Sequence, residues 1–535
     1  MRKLKSLLAI LWLAVIAIPP VAAQSLPGSL HAISTADGYQ LNAYVSVPTG
    51  QGKGPFPVIV MPSSWGLGYI EYVGAANSWA NDGYIVVSYA SRGFGLTCAI
   101  SVSCGYIDIA GAPTVNDVST VIDWTLVNTP ADPNAIGVSG ISYGGGTSLL
   151  GAENDPRIKA VAAMSSWADL QASLDANQTP SAQGIGLLSV ASYLGKPGPL
   201  MQQINQSVLG LNFYGAVQDL LPVVAQRDPI SLVGQINQNR PAVFLANAFE
   251  DSLFVPSQLI NFYNKLTVPK YLMFSHGDHA TAELTGALGF PNVVYTAATA
   301  WFDHYLKGVD NGIDQQPPVQ LETQNGAWNS FASWNAVQSG AVTYNLGNPN
   351  FSLFNLGSTG SLASGSPSSW QYNFMGGIPT IANSGLVLVN GLATQLDLPL
   401  SVSLPLIARS NAAVWTGPVL NKNQNLTGLS TLHLTVTPST SQLSLYAYLY
   451  SMDPLTGFGQ LISWKPYSLL NVTPKVAQSV SLQLEATDWQ IKGGQQLALV
   501  IGTVDLRYAG VTPPGSPVSF SSSAAAPSTL TVSLH

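Results

Sequence analysis

Residues 135–147 of this chain read Ala-Ile-Gly-Val-Ser-Gly-Ile-Ser-Tyr-Gly-Gly-Gly-Thr, and this stretch decides the fold. Its first part, residues 135–139, is a short apolar run of the kind that forms a buried parallel strand. The G-x-S-x-G pattern that follows, residues 140–144, is typical of a sharp turn between a strand and a helix. Such a turn holds Ser142 on strained backbone at the carboxyl edge of a sheet and exposes its hydroxyl. A phosphate-binding loop is excluded because no Lys follows at the required spacing.

Short apolar runs recur on both sides of this stretch and alternate with segments of helical spacing. Further runs of this type lie at 58–61, 84–89, 160–164, 242–246 and 271–274. Residues 115–126 place their apolar side chains at helical spacing, so the repeating unit is strand, crossover helix, strand. The pattern predicts a doubly wound α/β sheet over residues 24–168 and 240–316. A mostly helical insertion is expected at 169–239, where the strand rhythm stops.

Beyond Pro317 the residue pattern changes to alternating β-branched and polar residues, which indicates antiparallel strands with one buried face. Runs of this kind lie at 432–436, 443–449, 480–484 and 497–501. We therefore expect a second, all-β sandwich domain over residues 317–535. Residues 357–369 are so rich in Ser and Gly that they predict a surface loop inside it.

Composition excludes several classes of protein. The chain has 535 residues, of which only 8% are charged, and no basic run follows the first few residues. Nucleic acid is therefore not an expected partner. Hydrophobic residues make up 46%, which argues against disorder, and the length implies at least two domains. Nothing in the sequence points to a particular oligomeric state.

The N-terminus has the layout of an export signal. A basic start precedes an uncharged apolar run at 7–18 and then small residues up to Ala23. We expect removal of residues 1–23 and a secreted or periplasmic protein. The apolar run is too short to span a bilayer, so no stable membrane anchor is expected.

The only two cysteines, Cys98 and Cys104, lie six positions apart. In an oxidising compartment two close thiols usually pair, so we expect a disulfide between them. A metal site is not expected, because no His lies near them in the sequence.

A serine nucleophile needs a base and an orienting acid. In α/β-hydrolases these follow in the order Ser, Asp or Glu, His, after two late strands. Glu250 and Asp251 follow one such run, and His276 and His279 follow the next. Asp251 is favoured over Glu250 because a short carboxylate on the loop suits an imidazole N–H. His279 is favoured over His276 because the turn at 277–278 lifts it toward the nucleophile, although neither alternative is excluded.

Four segments together resemble the cocaine esterase and X-Pro dipeptidyl-peptidase family. They are Arg-Gly-Phe-Gly at 92–95, Asp-Pro-Asn-Ala-Ile-Gly at 132–137, Ser-Tyr-Gly-Gly at 142–145, and 301–308. The resemblance runs from about residue 30 to the end. It implies an α/β-hydrolase domain with a helical cap, followed by a jelly-roll domain. It also implies a triad of Ser142, Asp251 and His279.

One departure from the family concerns the oxyanion hole, the donors that stabilise the charged oxygen of an acyl-transfer intermediate. The family often has Pro-Tyr after its third strand, with the tyrosine hydroxyl as a donor. This chain reads Pro-Ser-Ser-Trp at 62–65. An N–H or hydroxyl of Ser63 or Ser64 is expected to replace that donor, beside the N–H of Tyr143 at the helix start.

These residues predict a secreted serine hydrolase that cleaves carboxylic esters through an acyl-enzyme on Ser142. His279 is the general base, Asp251 orients it, and no cofactor is needed. Trp65, Tyr69 and Trp167 are candidates for an apolar substrate pocket.

Two alternatives accompany this prediction. An X-Pro dipeptidyl-peptidase-like amide hydrolase needs a carboxylate for the free N-terminus of a peptide, and residues 171–239 of the insertion offer only Asp175, Asp219 and Asp228. A non-catalytic surface protein whose sandwich binds carbohydrate is the second alternative. The intact order of Ser, Asp and His argues against it.

Overall fold

The computed structural model of the protein describes residues 28–95, 98, 103–352 and 357–535. The export signal predicted at 1–23 lies outside these residues. Among the described residues, no helix combines the length and the apolar character needed to cross a membrane.

The N-terminal half is built on one sheet. Its strands are β1 Gly28–Ser34, β2 Gln40–Ser46, β3 Phe56–Pro62, β4 Ile85–Tyr89, β5 Ala131–Ile141, β6 Ile158–Met164, β7 Ala242–Ala248, β8 Lys270–Ser275, β9 Val319–Glu322 and β10 Trp328–Phe331. Within the described chain they pair in the order β1-β2-β4-β3-β5-β6-β7-β8-β9-β10. The seven strands that follow one another in the sheet as β4-β3-β5-β6-β7-β8-β9 run parallel. The apolar runs predicted from the sequence coincide with β3 to β8, except that the run 84–89 begins one residue before β4, and this confirms the doubly wound α/β fold.

Helices cover both faces of this sheet or belong to the insertion between β6 and β7. They are α1 Val73–Asn81, α2 Ala112–Asn128, α3 Tyr143–Asn154, α4 Leu170–Leu174, α5 Ala182–Ser192, α6 Pro199–Leu209, α7 Phe213–Val224, α8 Pro229–Asn239, α9 Pro256–Lys265, α10 Leu284–Ala287 and α11 Val293–Lys307. Short 3₁₀ turns lie at Tyr69–Tyr72, Ala176–Gln178, Ile313–Gln315 and Leu404–Leu406.

The alternation of side chains along β3 shows how the two faces are filled. Val58 and Val60 belong to the apolar cluster beneath α2, α3 and α9, whereas Ile59 and Met61 belong to the cluster beneath α1 and α11. Successive residues of a strand point to opposite faces, so both sets are buried when helices lie on both sides. The helices α4 to α8, which follow β6 and precede β7, form the predicted helical insertion.

The C-terminal part of the chain is all-β, apart from the short helices α12 Trp334–Val337 and α13 Asn390–Gln395. Its strands are β11 Ala341–Leu346, β12 Asn350–Ser352, β13 Gly357–Ala363, β14 Trp370–Gly376, β15 Ser401–Ser403, β16 Ala413–Thr416, β17 Gln424–Gly428, β18 Thr431–Pro438, β19 Leu443–Met452, β20 Phe458–Leu469, β21 Gln478–Gln483, β22 Thr487–Ile491, β23 Gln496–Gly502, β24 Ser516–Ser522 and β25 Thr529–Ser533. Among the described residues, β17 pairs with β22 and the others form one extended sheet. The all-β C-terminal domain predicted from the sequence is thereby confirmed.

One expectation for this domain was wrong. Residues 357–369 are not a loop throughout, because Gly357–Ala363 forms β13 and pairs with β11, β12 and β16. Glycine suits this strand because a Cβ on Gly360 would lie 2.2 Å from the ring of Trp415. Gly360 is therefore required by close packing, whereas residues 364–369, which follow the strand, are mostly exposed.

Candidate active site

Ser142 occupies the turn between β5 and α3. Its backbone has φ 58° and ψ −121°, a left-handed conformation that costs a non-glycine residue energy and persists only where the surroundings enforce it. The turn is tight enough to require both flanking glycines: a Cβ on Gly140 would lie 2.4 Å from the backbone of Gly144, and one on Gly144 would lie 2.1 Å from the carbonyl of Pro62. The local sequence is therefore what allows the serine to project from the carboxyl edge of the sheet.

The structure brings Ser142, His279 and Asp251 into one hydrogen-bonded series. The Nε2 atom of His279 lies 2.7 Å from the hydroxyl oxygen of Ser142. The Nδ1 atom lies 2.9 Å from Oδ2 of Asp251. These distances fit a base that can take the serine proton while a carboxylate holds the other side of the ring.

Asp251 is fully buried, and its second oxygen is held by the backbone. Oδ1 accepts hydrogen bonds from the N–H groups of Leu253 and Phe254, at 2.8 and 2.7 Å. Backbone donors that bind one oxygen leave the other directed at the imidazole. The carboxylate is thus fixed in orientation by the turn that follows β7.

Asp278, which precedes the histidine, fixes the loop rather than contacting the serine. Its Oδ1 accepts from the N–H groups of His279 and Ser252, at 2.8 and 2.9 Å. Its Oδ2 accepts from the N–H of Gly391, which belongs to the C-terminal domain, at 3.1 Å. Asp278 therefore joins the loop after β8, which carries His279, to the loop after β7, which carries Asp251. It also joins both loops to the C-terminal domain.

Electrostatics favour a proton on His279. Burial opposes the charged ring, but the carboxylates of Asp251, Asp278 and Glu283 outweigh this and raise the pKa of His279 above its ordinary value. Glu283 is itself fully buried, and burial raises its pKa to about 7. It accepts a hydrogen bond from the hydroxyl of Ser165 at 3.1 Å. That same hydroxyl oxygen accepts the N–H of Ala280, so Glu283 also supports the loop beyond His279.

The expected oxyanion donors differ in their availability. The N–H of Tyr143 lies in the first turn of α3, where no intrahelical acceptor exists. The N–H of Ser63 donates to the carbonyl of Tyr89, and its hydroxyl donates to that of Leu67. Ser63 therefore has no free donor in this structure.

Ser64 is engaged in the same way. Its N–H and its hydroxyl both donate to the carboxylate of Glu71. Burial raises the pKa of Glu71 to about 7. The next residue, Trp65, is different: its indole N–H donates to the carbonyl of Leu188, but within the described residues its backbone N–H has no acceptor.

An apolar cavity that opens to solvent adjoins Ser142. Its walls are formed by Trp65, Ile109, Tyr143, Trp167, Leu170, Leu174, Ile185, Leu188, Met201, Ile204, Ala216, Val217, Leu220 and Phe254. Helices α4 to α7 supply most of these side chains. Of the three aromatic residues proposed for a substrate pocket, Trp65 and Trp167 line this cavity and Tyr69 does not. Tyr69 is half-buried instead and packs against the cluster under α1.

None of the acidic residues of the helical insertion is part of the cavity wall described here. Asp219 accepts hydrogen bonds from Gln203 and Ser207. Asp228 is buried and accepts from the N–H of Leu170. Asp175 follows the wall residue Leu174 but does not contribute to the wall itself.

The two cysteines are joined, and Cys98–Cys104 is a disulfide. It lies in the stretch that follows β4, near the edge of the sheet that carries the site. Among the described residues, no group of three or more His, Cys, Asp and Glu side chains is arranged to hold a metal ion.

A hydrogen-bonded serine, histidine and aspartate at the carboxyl edge of a doubly wound sheet is the arrangement of the serine hydrolases. Sequence comparison agrees with that class. The profile described as X-Pro dipeptidyl-peptidase (S15 family) matches residues 37–281, and that of the X-Pro dipeptidyl-peptidase C-terminal non-catalytic domain matches residues 311–531. The chain therefore belongs to the cocaine esterase and X-Pro dipeptidyl-peptidase family, and it is a serine hydrolase.

Individual relatives are distant. A Bacillus anthracis protein named "Putative Xaa-Pro dipeptidyl-peptidase" is 23% identical over 461 residues, which cover 78% of this chain and 70% of that protein. A CocE/NonD family hydrolase from Staphylococcus aureus has a similar fold, with a TM-score of 0.69 at 14% identity over 95% of this chain and 93% of its own. An α-amino acid ester hydrolase also has a TM-score of 0.69, at 15% identity over 97% and 99% of the two chains. These structures show the fold that the chain shares with them.

Proposed function

We propose that this protein is a carboxylesterase whose acyl group binds in the apolar cavity beside Ser142. The observation that carries the proposal is the composition of the cavity wall, which contains no charged side chain among the residues described. An ester with a hydrocarbon acyl chain would bury its apolar surface there, at about 25 cal/mol per Å². The ammonium group of a peptide N-terminus would lose its hydration in the same place and find no carboxylate.

The mechanism follows from the hydrogen-bonded series. His279 takes the proton of Ser142 as the oxygen attacks the ester carbonyl carbon, and Asp251 stabilises the imidazolium that forms. The imidazolium then protonates the leaving alcohol, and an acyl-enzyme remains. Water, deprotonated by His279, attacks the acyl-enzyme, and the imidazolium returns this proton to the oxygen of Ser142 as the acid leaves.

The oxyanion needs two donors, and we assign them to the N–H groups of Tyr143 and Trp65. Tyr143 has an orphan N–H at the start of α3, and Trp65 lies in the cavity wall next to the serine. This replaces the assignment to Ser63 or Ser64, because the donors of both serines are occupied. Glu71 supports this role by holding the Ser64 backbone that precedes the Trp65 N–H.

A panel of substrates tests the proposal. p-Nitrophenyl butyrate, hexanoate and octanoate should be hydrolysed with a kcat/KM at least about tenfold above that of Xaa-Pro p-nitroanilides, since each buried methylene contributes roughly 0.8 kcal/mol. The variant Ala216→Phe should shift the preference to acetate by filling the cavity, while Leu455→Phe, an exposed position in the C-terminal domain, serves as a control. Faster cleavage of the anilides would instead support the dipeptidyl-peptidase alternative.

We also propose that the protein is exported. The disulfide Cys98–Cys104 supports this, because such bonds persist mainly in oxidising compartments. Mass spectrometry of the protein recovered outside the cytoplasm should give a chain that begins at Gln24. A chain that retains residues 1–23 there would contradict the proposal.

A further inference from the structure

The hydroxyl of Ser64 joins the loop after β3 to the turn that carries the nucleophile. Its Oγ atom hydrogen-bonds Oε1 of Glu71 and, at 2.8 Å, the carbonyl oxygen of Ile141, which precedes Ser142. The N–H of Ser64 donates to Oε2 of Glu71 at 2.7 Å. The N–H of Ile141 donates to the hydroxyl of Tyr72 at 2.8 Å. We name Ser64, Glu71, Tyr72 and Ile141 the Ser64 network.

The Ser64 network lies between two groups that the proposed reaction uses. Trp65, whose backbone N–H is one of the assigned oxyanion donors, follows Ser64 in the chain. The nucleophile, Ser142, follows Ile141. Because an oxyanion donor must lie about 2.7–3.1 Å from the charged oxygen, a shift of about 1 Å between these two groups would slow the reaction by about 100-fold. The network holds the two groups together.

The hydrogen count at the hydroxyl of Ser64 depends on the protonation state of Glu71. A hydroxyl has one hydrogen to donate, and it can accept two hydrogen bonds. A carbonyl oxygen and an ionised carboxylate only accept, so with Glu71 ionised the single hydrogen of Ser64 serves either Glu71 or Ile141 and leaves the other contact without one. With Glu71 protonated, its O–H donates to Ser64, and Ser64 donates to Ile141. The protonated form alone satisfies both contacts.

The hydroxyl of Tyr72 completes this hydrogen count. It lies 3.3 Å from Oγ of Ser64, and its oxygen accepts the N–H of Ile141. Its own hydrogen is therefore available to Ser64, which then donates once and accepts twice, the full capacity of a hydroxyl. Both Ser64 and Tyr72 are buried, where a hydrogen-bonding group without a partner is costly.

We propose that Glu71 is a positioning residue that works as a neutral acid: it donates to Ser64, which then holds the carbonyl of Ile141. Glu71 is not part of the cavity wall, so it acts through this contact on the turn at Ser142. Ionisation of Glu71 turns the hydrogen of Ser64 toward the carboxylate and releases the carbonyl of Ile141. The inference deepens the proposed function, on which it rests, because it adds a required proton to the one that His279 exchanges.

The surroundings of Glu71 place the loss of this proton near neutral pH. Burial raises the pKa of Glu71 to about 7, against hydrogen bonds from Ser64 and Tyr72 and the charge of a protonated His279. Tyr295 of α11 also interacts with Glu71, but it stays neutral because burial raises the pKa of Tyr295 well above its ordinary value. No Lys or Arg pairs with Glu71 in the part of the chain that the structure describes.

The wild-type enzyme should therefore have an alkaline limb in its pH profile. The kcat for p-nitrophenyl butyrate should fall as pH rises through the pKa of Glu71, because the oxyanion donor and the nucleophile lose their alignment. The KM should change little, since the cavity that binds the acyl chain is unaffected.

Two substitutions of Glu71 test the assignment. The amide of Glu71→Gln can donate to Oγ of Ser64 and accept its N–H, as the neutral acid does. This variant should keep kcat within about threefold of the wild-type maximum and should lack the alkaline limb. Glu71→Ala removes both contacts and should lower kcat at least about tenfold, with KM within about twofold. The Gln variant alone decides the question if the Ala variant does not fold.

Glu153→Gln is the matched control. Glu153 is a buried acid of α3, its two carboxyl oxygens have no hydrogen-bond partner among the described residues, and burial raises its pKa as well. Because Glu153 does not contact the Ser64 network, its replacement should leave both kcat and the alkaline limb unchanged. Circular dichroism checks the folding of all three variants.

Three results would overturn the proposal. They are an equal loss of kcat in Glu71→Gln and Glu71→Ala, an alkaline limb that persists in Glu71→Gln, and one that disappears in Glu153→Gln. The rate at which a fluorophosphonate labels Ser142 is a second readout that needs no ester substrate. If this rate shows the same alkaline limb but p-nitrophenyl butyrate is not hydrolysed, the esterase assignment fails and the role of Glu71 stands.

Discussion

The Nδ1 atom of His276 lies 2.8 Å from Oε1 of Glu250, so a second histidine–carboxylate pair lies beside the pair formed by His279 and Asp251. The Nε2 atom of His276 lies 3.2 Å from the carbonyl oxygen of Asp488 in the C-terminal domain. This second pair does not face the serine and instead joins the two domains. Burial opposes a charge on its ring, but Glu250 outweighs this and raises the pKa of His276.

Replacing the serine tests the assigned nucleophile. Ser142→Ala should reduce kcat by at least ~10³-fold, because the acyl-enzyme can no longer form. The smaller side chain fits the turn, so the circular dichroism spectrum should be unchanged. Activity within tenfold of the wild type would show that another residue is the nucleophile.

The two histidines can be separated by kinetics and stability together. His279→Ala should match the loss seen for Ser142→Ala, since the members of a triad act as a unit. His276→Ala should lower the melting temperature, because it leaves the buried carboxylate of Glu250 without its histidine partner. It should reduce kcat far less than His279→Ala does. The reverse ranking in kcat would move the role of general base to His276.

The acid limb of the pH profile should report His279. The base acts only when neutral, so kcat/KM should fall as pH drops through its raised pKa, above 6.5. Glu283→Gln removes one of the charges that raise this pKa, and the limb should shift to lower pH. Glu322→Gln is the matched control, because that carboxylate accepts the N–H of His276 and acts on the other pair. If the acid limb of the pH profile does not shift in the Glu283→Gln variant, the proposed effect of Glu283 on the pKa of His279 is wrong.

Stability should increase on mild acidification. Burial raises the pKa of Asp228 to about 8 and that of Glu71 and Glu283 to about 7 in the folded state. A carboxyl group with a raised folded pKa binds its proton more tightly when folded, so its contribution is present at low pH and is lost as pH rises through that value. The free energy of unfolding, measured in urea, should therefore increase from pH 8 to pH 5.

At lower pH, further acidification decreases the free energy of unfolding. Hydrogen bonds from Arg92 outweigh partial burial and lower the pKa of Asp37, so the stability it contributes is lost as pH falls below its ordinary value near 3.8. A maximum of stability between about pH 4 and 6 follows from the two effects. A steady decrease in stability from pH 8 to pH 5 would contradict the first of them.

A buried ion pair of the C-terminal domain, which contacts a helix of the N-terminal half, gives a further prediction. Lys465 and Glu485 are hydrogen-bonded to each other, and Glu485 accepts the N–H of Ser257, the second residue of α9, at 3.0 Å. Lys465→Met leaves the carboxylate buried without its partner and should destabilise the protein by about 3–5 kcal/mol. The double variant Lys465→Met/Glu485→Leu should recover much of the loss, measured by thermal unfolding. A single variant as stable as the wild type would show that the pair contributes little.

The sequence predicted those features that depend on neighbouring residues. Apolar runs marked β3 to β8 because strands buried on both faces are apolar throughout. The turn at Ser142 was recognisable because the glycines that permit it are two positions away on each side. The order of acid and histidine along the chain was also readable, although the choice within each pair needed the structure to show which ring faces the serine.

Features that depend on distant contacts were not predictable. The hydrogen bond of Gly391 to Asp278 and that of Leu388 to Ser252 join residues more than 100 positions apart, and neither glycine nor leucine signals a role in a site. The engagement of Ser64 by Glu71 could not be seen either, because it depends on how the chain turns after β3. Glu283 was missed because a single acid in a helical run usually lies in solvent.

The hydrogen bond from Gly391 to Asp278 spans 113 residues of sequence. During synthesis the chain emerges from its N-terminus, so the sheet that carries Ser142 is complete long before Gly391 has been made. The loop bearing the histidine gains its final anchor only when the C-terminal domain folds against it. A copy truncated before the C-terminal domain would therefore hold every catalytic group but would lack this anchor of the histidine loop.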